Sequence, residues 1–239
     1  MKYIDKTKLH APVSYDAELK AAHLDETSIL HGAHAGRSGD DLFNNEIKKL
    51  PSYQAMRTQL LEDQGGVCCY CNRRITGYGD ITEHVKPKSS YRELVGEYKN
   101  LLLSCEGGQK IPSTVPAGLP KFRRRLYPLH CDQKKGNAVL LISPLSTMCE
   151  WKVKYDPLTG KVYGDSDVSD MVGKLNLNHP VLMKEREEEI KIWCYDNSGN
   201  VLSNSQLEKV FCKMLTRDPS GYYHNLYYVI ASAALELVR

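Results

Sequence analysis

The stretch that decides the fold runs from residue 68 to residue 137 and contains four short motifs. In chain order, the motifs are CCYC at 68–71, EHVKPKS at 83–89, NLLLSC at 100–105 and CDQKKGN at 131–137. Two cysteine pairs therefore enclose an acidic residue followed by a histidine, and an asparagine. Because such residues serve as metal ligands and proton acceptors, we expect this stretch to be the functional core of the chain.

The cysteines of these motifs predict a structural zinc site. Cys68 and Cys71 have the C-x-x-C spacing that places two thiolates on one tetrahedral ion. Cys105 and Cys131 would complete the ligand set if the segment 106–130 between them loops out of the domain. A redox-active cysteine pair is the alternative, but such pairs accompany a βαβ pattern that the sequence does not show. The other cysteines, which we expect to be buried or half-buried thiols, are Cys69, Cys149, Cys194 and Cys212.

Length and composition are those of a globular protein with a substantial core. The chain has 239 residues, of which 41% are hydrophobic, and no apolar run is long enough to span a membrane. The first residues, MKYIDKTKLHAPVSYD, lack the apolar segment of a secretory signal, so we expect a cytoplasmic protein with no membrane partner. The net charge of +3 is too small to indicate nucleic-acid binding by itself.

The sequence divides into three regions. Residues 1–50 form an N-terminal arm with a weak core pattern and are a candidate docking region for a partner. Residues 51–145 hold the motifs, and residues 146–239 combine a β-hairpin with C-terminal helices. Glycine and proline recur in 106–130, which predicts a long irregular insertion. This insertion is basic, with Lys110, Lys121, Arg123, Arg124 and Arg125 against Glu106 alone.

Apolar spacing and turn residues predict the elements of each region. The predicted helices are 16–31, 41–49, 53–64, 180–195, 200–215 and 222–238, the third with Ser52 as its N-cap and Gly65 and Gly66 as its stop. The expected extended segments are a strand at 81–86 and a hairpin that pairs 150–155 with 161–163. We expect residues 99–105 to begin a helix or to lead into one.

Glu83 and His84 are the candidate reactive pair. A carboxylate binds Mg²⁺ well, and a neutral imidazole can take a proton from water. Adjacent side chains on a strand point to opposite faces, so both can address one site only near a turn or bulge. A single histidine on a strand is more often structural. Asn100 and Asp132, which follow at suitable downstream positions, strengthen the functional interpretation.

The order of these motifs resembles the HNH (ββα-metal) endonuclease family. The matching features are Cys-x-x-Cys, Glu-His-x-x-Pro-x-Ser, Asn-Leu-Leu-Leu-x-Cys and Cys-Asp-x-x-Lys-Gly-Asn, spread over residues 50–145. Within the family, GGVCCYCNRRI, EHVKPKS, YKNLLLSC and CDQKKGN are most similar to the HNH proteins of retron and Septu anti-phage defence systems. The resemblance implies an α+β fold, in which a small, treble-clef-like ββα-metal core is stapled by zinc and flanked by mainly helical N- and C-terminal regions.

The resemblance also implies a role for each residue of the core. His84 takes the position of the general base that activates the attacking water, and Asn100 takes the position that orients this base. Glu83 and Asp132 take the positions of the catalytic metal ligands, and two carboxylates favour Mg²⁺ or Mn²⁺ over zinc. The last ligand of the family is commonly His or Asn. Asp132 is therefore a departure from the family pattern, and the long insertion is a second one.

An enzyme of this family would hydrolyse phosphodiester bonds. The candidate phosphate contacts are Lys86, Lys88, Arg123, Arg124, Arg125, Lys134 and Lys135, although the arginine run could equally be a solvated loop. The resemblance favours DNA cleavage in phage defence, and RNA stays an open alternative because an attacking water is indifferent to the sugar. A zinc module that binds without cleavage is the other alternative, but it would not need Glu83, His84 and Asp132 together.

A separate ATPase is the partner that the resemblance implies, since the chain itself contains no G-x-x-x-x-G-K-[ST] motif. The natural docking surfaces would be residues 1–50 and the C-terminal helices. Four tyrosines could anchor such an interface or simply pack the last helix, and we favour packing: Tyr222, Tyr223, Tyr227 and Tyr228.

Overall fold

A computed structural model describes residues 1–77, 79–107 and 129–238 of the chain. Most of the basic insertion predicted at 106–130, including Arg123, Arg124 and Arg125, lies outside these residues. Helices predominate among these residues, which also form two short antiparallel sheets, so that the α+β class is confirmed. No helix among the described residues has the length and apolar character needed to cross a membrane.

Helices lead from the N-terminus to the first cysteine pair. They are α1 (Val13–Ala21), α2 (Glu26–His31), α3 (Gly39–Asn45), a 3₁₀ turn (Ile47–Lys49) and α4 (Tyr53–Asp63). The single helix predicted at 16–31 is wrong, because His23 has a left-handed backbone (φ 54°) that separates α1 from α2. Asp25 then caps α2 by accepting a hydrogen bond from the Ser28 N–H at 3.0 Å.

Helix α4 has the predicted position and the predicted buried face of Met56, Leu60 and Leu61. Ser52 stands at its N-cap, but the hydroxyl does not cap the helix. It donates instead to the Glu18 carboxylate of α1 at 2.6 Å, and this contact ties the first helix to the fourth.

Gly65 and Gly66 end α4 with positive φ angles of 64° and 70°, as the sequence predicted. A side-chain Cβ at Gly65 would come within 2.3 Å of the Tyr223 ring, and one at Gly66 within 2.6 Å of the Tyr222 ring. These two tyrosines therefore pack against the end of α4, and Tyr227 is buried below them in the last helix. Tyr223 also stacks on Tyr227 with ring centroids 4.0 Å apart, so the expectation that the tyrosines pack the C-terminal helix is confirmed for these two.

The sheet that carries the reactive pair consists of β1 (Ile81–His84) and β2 (Leu101–Ser104), paired antiparallel with Glu83 opposite Leu102 and His84 opposite Leu101. Residues 101–104 therefore form a strand, and the expectation that 99–105 begin a helix is wrong. All four residues of β2 are buried, and a short, continuously apolar run has no periodicity that separates a buried strand from a buried helix. The short helix α5 (Cys131–Lys135) follows the insertion and packs near the sheet.

The C-terminal part begins with the predicted hairpin. Its elements are α6 (Cys149–Lys152), β3 (Lys154–Tyr155), β4 (Val162–Tyr163), α7 (Ser166–Leu175), α8 (Pro180–Cys194), α9 (Asn204–Met214) and α10 (Tyr227–Leu237). The hairpin is shorter than predicted because residues 149–152 are helical. Asn178 supports its second strand, since its amide accepts from the Val162 N–H and donates to the Val162 carbonyl, both at 2.8 Å.

Buried side chains from all three regions form one continuous core. In the N-terminal region, the Tyr15 hydroxyl donates to the Gly96 carbonyl at 3.0 Å, which fastens α1 to the loop between β1 and β2. In the C-terminal region, the Arg73 Nε donates to Glu185 of α8 at 2.6 Å. The cysteine knuckle, residues 67–76, is thereby tied to the C-terminal region.

Candidate functional site

Four cysteine thiols lie close together beside the sheet formed by β1 and β2. The Sγ atoms of Cys68, Cys71, Cys105 and Cys131 all lie within 4.8 Å of one another. The Cys68–Cys131 and Cys71–Cys105 sulfur pairs are 3.9 and 3.7 Å apart. A tetrahedral zinc ion with Zn–S bonds of about 2.3 Å requires sulfur separations of about 3.8 Å. The four cysteines predicted from the sequence could therefore hold zinc.

His130 lies against this cysteine group. Its Nδ1 is 3.2 Å from the Cys131 Sγ and 3.8 Å from the Cys105 Sγ, and burial lowers the pKa of the ring to about 4. A neutral imidazole can still donate an N–H to a metal-bound thiolate, which fits the kind of second contact that orients metal ligands. Ser104, at the end of β2, adds a hydroxyl 3.8 Å from the Cys68 Sγ.

The cysteines outside the group divide by burial. Cys69, Cys149 and Cys194 are buried thiols, as predicted, and burial raises the pKa of each. Cys212 is exposed on α9, so the expectation that it would be at least half-buried is wrong.

Glu83 is the most enclosed carboxylate of the candidate site, with 1% of its surface exposed. Two donors bind the same oxygen: the Tyr70 hydroxyl lies 2.6 Å from Oε1, and the Lys135 ammonium lies 2.7 Å from it. Lys135 also donates to the His84 carbonyl at 2.9 Å, so that it connects α5 to the end of β1. The carboxylate is thus fixed by groups from the cysteine knuckle and from the last motif.

Asp132 lines the same cleft as Glu83, and its carboxyl group acts on that of Glu83. Burial and this neighbour raise the pKa of Glu83 to about 8, although Lys135 opposes the shift. A buried carboxyl group beside a second one is stabilised by a proton or by a cation. The predicted ligand pair therefore fits a divalent cation, and its oxygen donors are those that Mg²⁺ and Mn²⁺ prefer.

His84 ends β1 beside this pair. Its Nε2 is 3.0 Å from the Val95 carbonyl, and since a carbonyl only accepts hydrogen bonds, Nε2 carries the hydrogen. Burial lowers the pKa of the ring to about 3, so that the ring is neutral and Nδ1 is the nitrogen that can accept a proton. The Phe43 ring of α3 meets the imidazole edge-on, with centroids 4.6 Å apart, and restricts its orientation.

Asn100 braces the loop between β1 and β2. Its Oδ1 accepts from the Lys86 N–H at 2.8 Å, and its Nδ2 donates to the carbonyls of Lys86 at 3.1 Å and Leu94 at 3.3 Å. The carbonyl that holds the His84 ring belongs to Val95, the next residue after Leu94. Asn100 thus shapes the loop that orients the histidine.

A cleft with a volume of 270 Å³ opens beside these groups, and Glu83, His84 and Asp132 all line it. The adjacent residues of β1 therefore reach one cleft even though strand geometry directs them to opposite faces. Other polar or aromatic residues of the lining include Phe43, Lys48, Tyr53, Arg57, Asp80, Thr82, Lys88 and Lys135.

The predicted phosphate contacts occupy different places. Lys88 lines the cleft and pairs with Asp40 at 3.2 Å, whereas the Lys135 side chain is 1% exposed and is committed to Glu83. Lys86 and Lys134 are exposed outside the cleft lining. Arg123, Arg124 and Arg125 lie outside the described residues.

Several residues that complete the site were missed by sequence reasoning. Tyr70 lies inside the first cysteine motif, directly before Cys71, and this position next to a predicted ligand could have identified it. Phe43, Lys48 and Arg57 come from the helices before the motifs, and no local pattern distinguishes them from ordinary core or surface residues.

Comparison with known proteins gives one informative similarity, and no family model matches the chain. A protein of Vibrio cholerae serotype O1 biovar El Tor, assigned as the HNH endonuclease of retron Vc95, is 26% identical over 168 residues, which cover 66% of this chain and 74% of that protein. The likeness to Septu proteins stays a prediction. The similarity supports an HNH endonuclease family for this chain, and with it a metal-dependent nuclease carrying a four-cysteine group that could bind zinc.

Proposed function

We propose that this chain hydrolyses phosphodiester bonds of DNA at a single ββα-metal HNH site built from β1, β2 and α5. The observation that carries the proposal is the pairing of two features in one cleft. One is a neutral His84 whose Nε2–H is bound to the Val95 carbonyl, and the other is the Glu83–Asp132 carboxyl pair. A proton acceptor beside a cation site is what activation of a water molecule requires.

In this proposal, Glu83 and Asp132 would hold Mg²⁺ or Mn²⁺, and the ion would supply electrostatic stabilisation for the charge that develops on the phosphate. His84 accepts the proton of the attacking water at Nδ1, because the bond to Val95 keeps the hydrogen on Nε2. Tyr70 and Lys135 hold the Glu83 carboxylate in place. Asn100 acts through the loop that positions Val95.

The four-cysteine group would serve this site as a structural zinc centre. Cys131 precedes Asp132 directly, and Cys68 and Cys71 flank Tyr70, so that a bound zinc ion would fix two segments that reach Glu83. Structural zinc sites contribute directly to folding, and this one would align the catalytic groups at the same time.

A role in anti-phage defence is the wider form of the proposal. Its support is the name of the Vibrio cholerae relative, which assigns that protein to retron Vc95, together with the motifs that resemble retron and Septu HNH proteins. A separate ATPase subunit would be the controlling partner. Cleavage assays with and without such a subunit would reveal whether the isolated chain is active.

The decisive test compares DNA and RNA oligonucleotides as substrates, with Mg²⁺ or Mn²⁺, in wild type and two histidine variants. His84→Ala removes the proposed base, and His84→Gln keeps an N–H donor for Val95 without a basic nitrogen. We expect both variants to lose about 10²- to 10⁴-fold in rate. His31→Gln, at an exposed histidine of α2, is the matched control and should cleave like wild type.

Three results would change the proposal. Full activity in both His84 variants would remove the histidine from its role. Cleavage of RNA alone would reassign the substrate. Binding without any metal-dependent cleavage, with or without the ATPase, would favour a zinc module that has no catalytic function.

A further inference from the structure

Three cationic side chains converge on the cleft from different elements. Lys48 comes from the 3₁₀ turn after α3, Arg57 from α4, and Lys88 from the loop after β1. The ammonium groups of Lys48 and Lys88 lie 5.0 and 5.6 Å from the centroid of the same ring, that of Phe43. That ring in turn contacts His84, so the cations stand beside the proposed base.

The groups that face these cations leave much of their charge uncompensated. Lys48 donates to the Asn44 side chain at 2.8 Å. Arg57 donates to the Thr82 hydroxyl at 2.6 Å and to the Asp80 carbonyl at 2.9 Å. All these partners are neutral acceptors, and among the described residues neither cation lies within 4.0 Å of a carboxylate oxygen.

Carboxylates near the cleft offset part of this positive charge. Asp40 pairs with Lys88 at 3.2 Å, but 64% of its side chain is exposed, so water screens the pair. Asp80 lines the cleft near Arg57, whereas Glu83 and Asp132 are the proposed metal ligands. Lys135 offsets the charge of Glu83. The cleft is then left with Lys48, Arg57 and Lys88 against Asp80 and Asp132, and a divalent cation would add further positive charge.

The positive charges of these three side chains repel one another. Burial first, and then the charges of Lys88 and Arg57, lower the pKa of Lys48. A cluster of cations at the mouth of a cleft is stabilised when an anion binds among them. Phosphates are the anions that lysine and arginine bind in nucleic-acid complexes, through contacts that position the backbone without reading the bases.

We propose that Lys48, Arg57 and Lys88 form a second phosphate site, which binds a backbone phosphate next to the one that is cleaved. The inference rests on the proposed function and makes it more specific in two respects. The substrate is a polynucleotide strand, since a second phosphate must be present, and its recognition is independent of sequence. The segment from α3 to α4 is accordingly part of the substrate site.

Lys48 allows a matched test, because Lys49 is the next residue of the same 3₁₀ turn, is exposed, and lies outside the cleft lining. Lys48→Gln and Lys49→Gln remove the same charge, and Lys48→Arg restores it. Binding of a fluorescein-labelled DNA strand to the full chain would be measured by anisotropy between about 50 and 200 mM KCl. No Mg²⁺ or Mn²⁺ is added, so the strand is not cut, and no chelator is used, so bound zinc is retained.

We expect Lys48→Gln to reduce the slope of log K against log salt by about 0.7 for a single strand or about 0.9 for a duplex, which is the loss of one phosphate contact. At about 0.1 M salt this corresponds to about five- to eightfold weaker binding. Lys48→Arg should bind like wild type, and Lys49→Gln should keep the wild-type slope. Equal slopes for Lys48→Gln and Lys49→Gln would overturn the inference, as would failure of the wild type to bind DNA or RNA.

The inference and the proposed function fail separately. A wild-type chain that shows the Lys48 effect but never cleaves would keep the phosphate site and lose the nuclease. A chain that cleaves in a His84-dependent manner, with no difference between Lys48→Gln and Lys49→Gln, would keep the nuclease and lose the phosphate site.

Discussion

The Glu83 carboxyl group shows how one residue links folding to the proposed chemistry. Its pKa rises from 4.5 to about 8, chiefly because burial removes water from the carboxylate. Without a metal, the folded chain keeps a proton on this group that the unfolded chain loses above its usual pKa. The stability that this proton contributes is fully present below pH 4.5 and is lost as the pH rises to about 8.

A divalent cation must displace that proton, so its affinity should depend on pH. We predict that the apparent Kd for Mn²⁺ falls by about tenfold per pH unit between about pH 6 and 8 and levels off above the Glu83 pKa. Calorimetric titration at several pH values would measure it. Glu83→Gln should bind Mn²⁺ weakly at every pH, and a flat profile in the wild type would exclude Glu83 as a ligand.

At the scale of elements, the site depends on how closely α3 approaches the loop after β1. Gly39, the first residue of α3, is buried there, and a Cβ at this position would lie 2.1 Å from the Lys88 carbonyl oxygen. The missing side chain allows this contact. It also brings the Phe43 ring against His84, with centroids 4.6 Å apart.

We predict that Gly39→Ala destabilises the chain by about 1–3 kcal/mol, because backbone must move to admit one methyl group. Gly173→Ala, in the last turn of α7, is the control: a Cβ there meets nothing within 4 Å, so the change should be neutral or stabilise by up to about 1 kcal/mol. Urea unfolding would measure both. Equal stability of the two variants would show that α3 can shift at no cost.

At the scale of the whole molecule, the four-cysteine group joins segments that are far apart in sequence. Cys68 and Cys71 follow α4, Cys105 ends the sheet, and Cys131 begins α5. The neighbouring Arg73 binds Glu185 of α8, so that the C-terminal helices are connected to the same knuckle. A metal ion in this group would therefore stabilise contacts across the whole chain.

We predict that Cys71→Ser lowers both the zinc content and the Tm of the purified chain, because zinc that binds only the folded state adds its binding energy to folding. Cys212→Ser, at the exposed thiol of α9, should keep the wild-type zinc content and Tm. Elemental analysis with thermal unfolding would measure both properties. A wild-type chain that purifies folded and free of zinc would exclude a zinc centre.

The sequence by itself determined the candidate ligand groups and the longer helices. Four cysteines and the Glu83–His84 pair are recognisable because ligand chemistry restricts residue types, and α4 and α8 are recognisable because apolar periodicity and stop signals are local. The strand at Leu101–Ser104 was not recognisable, because a short run buried on both faces has no period and its conformation depends on pairing with β1.

Only the tertiary structure decided what surrounds the reactive groups. It buries Lys135 against Glu83, although a lysine near the end of a short helix is exposed by default. It also orients the His84 ring through a hydrogen bond to the Val95 carbonyl. It also brings Lys48 and Arg57 into the cleft from helices that carry no motif. Charge, burial and hydrogen-bond partners are set by residues distant in sequence, so they follow from the packing of the chain and cannot be read from local pattern.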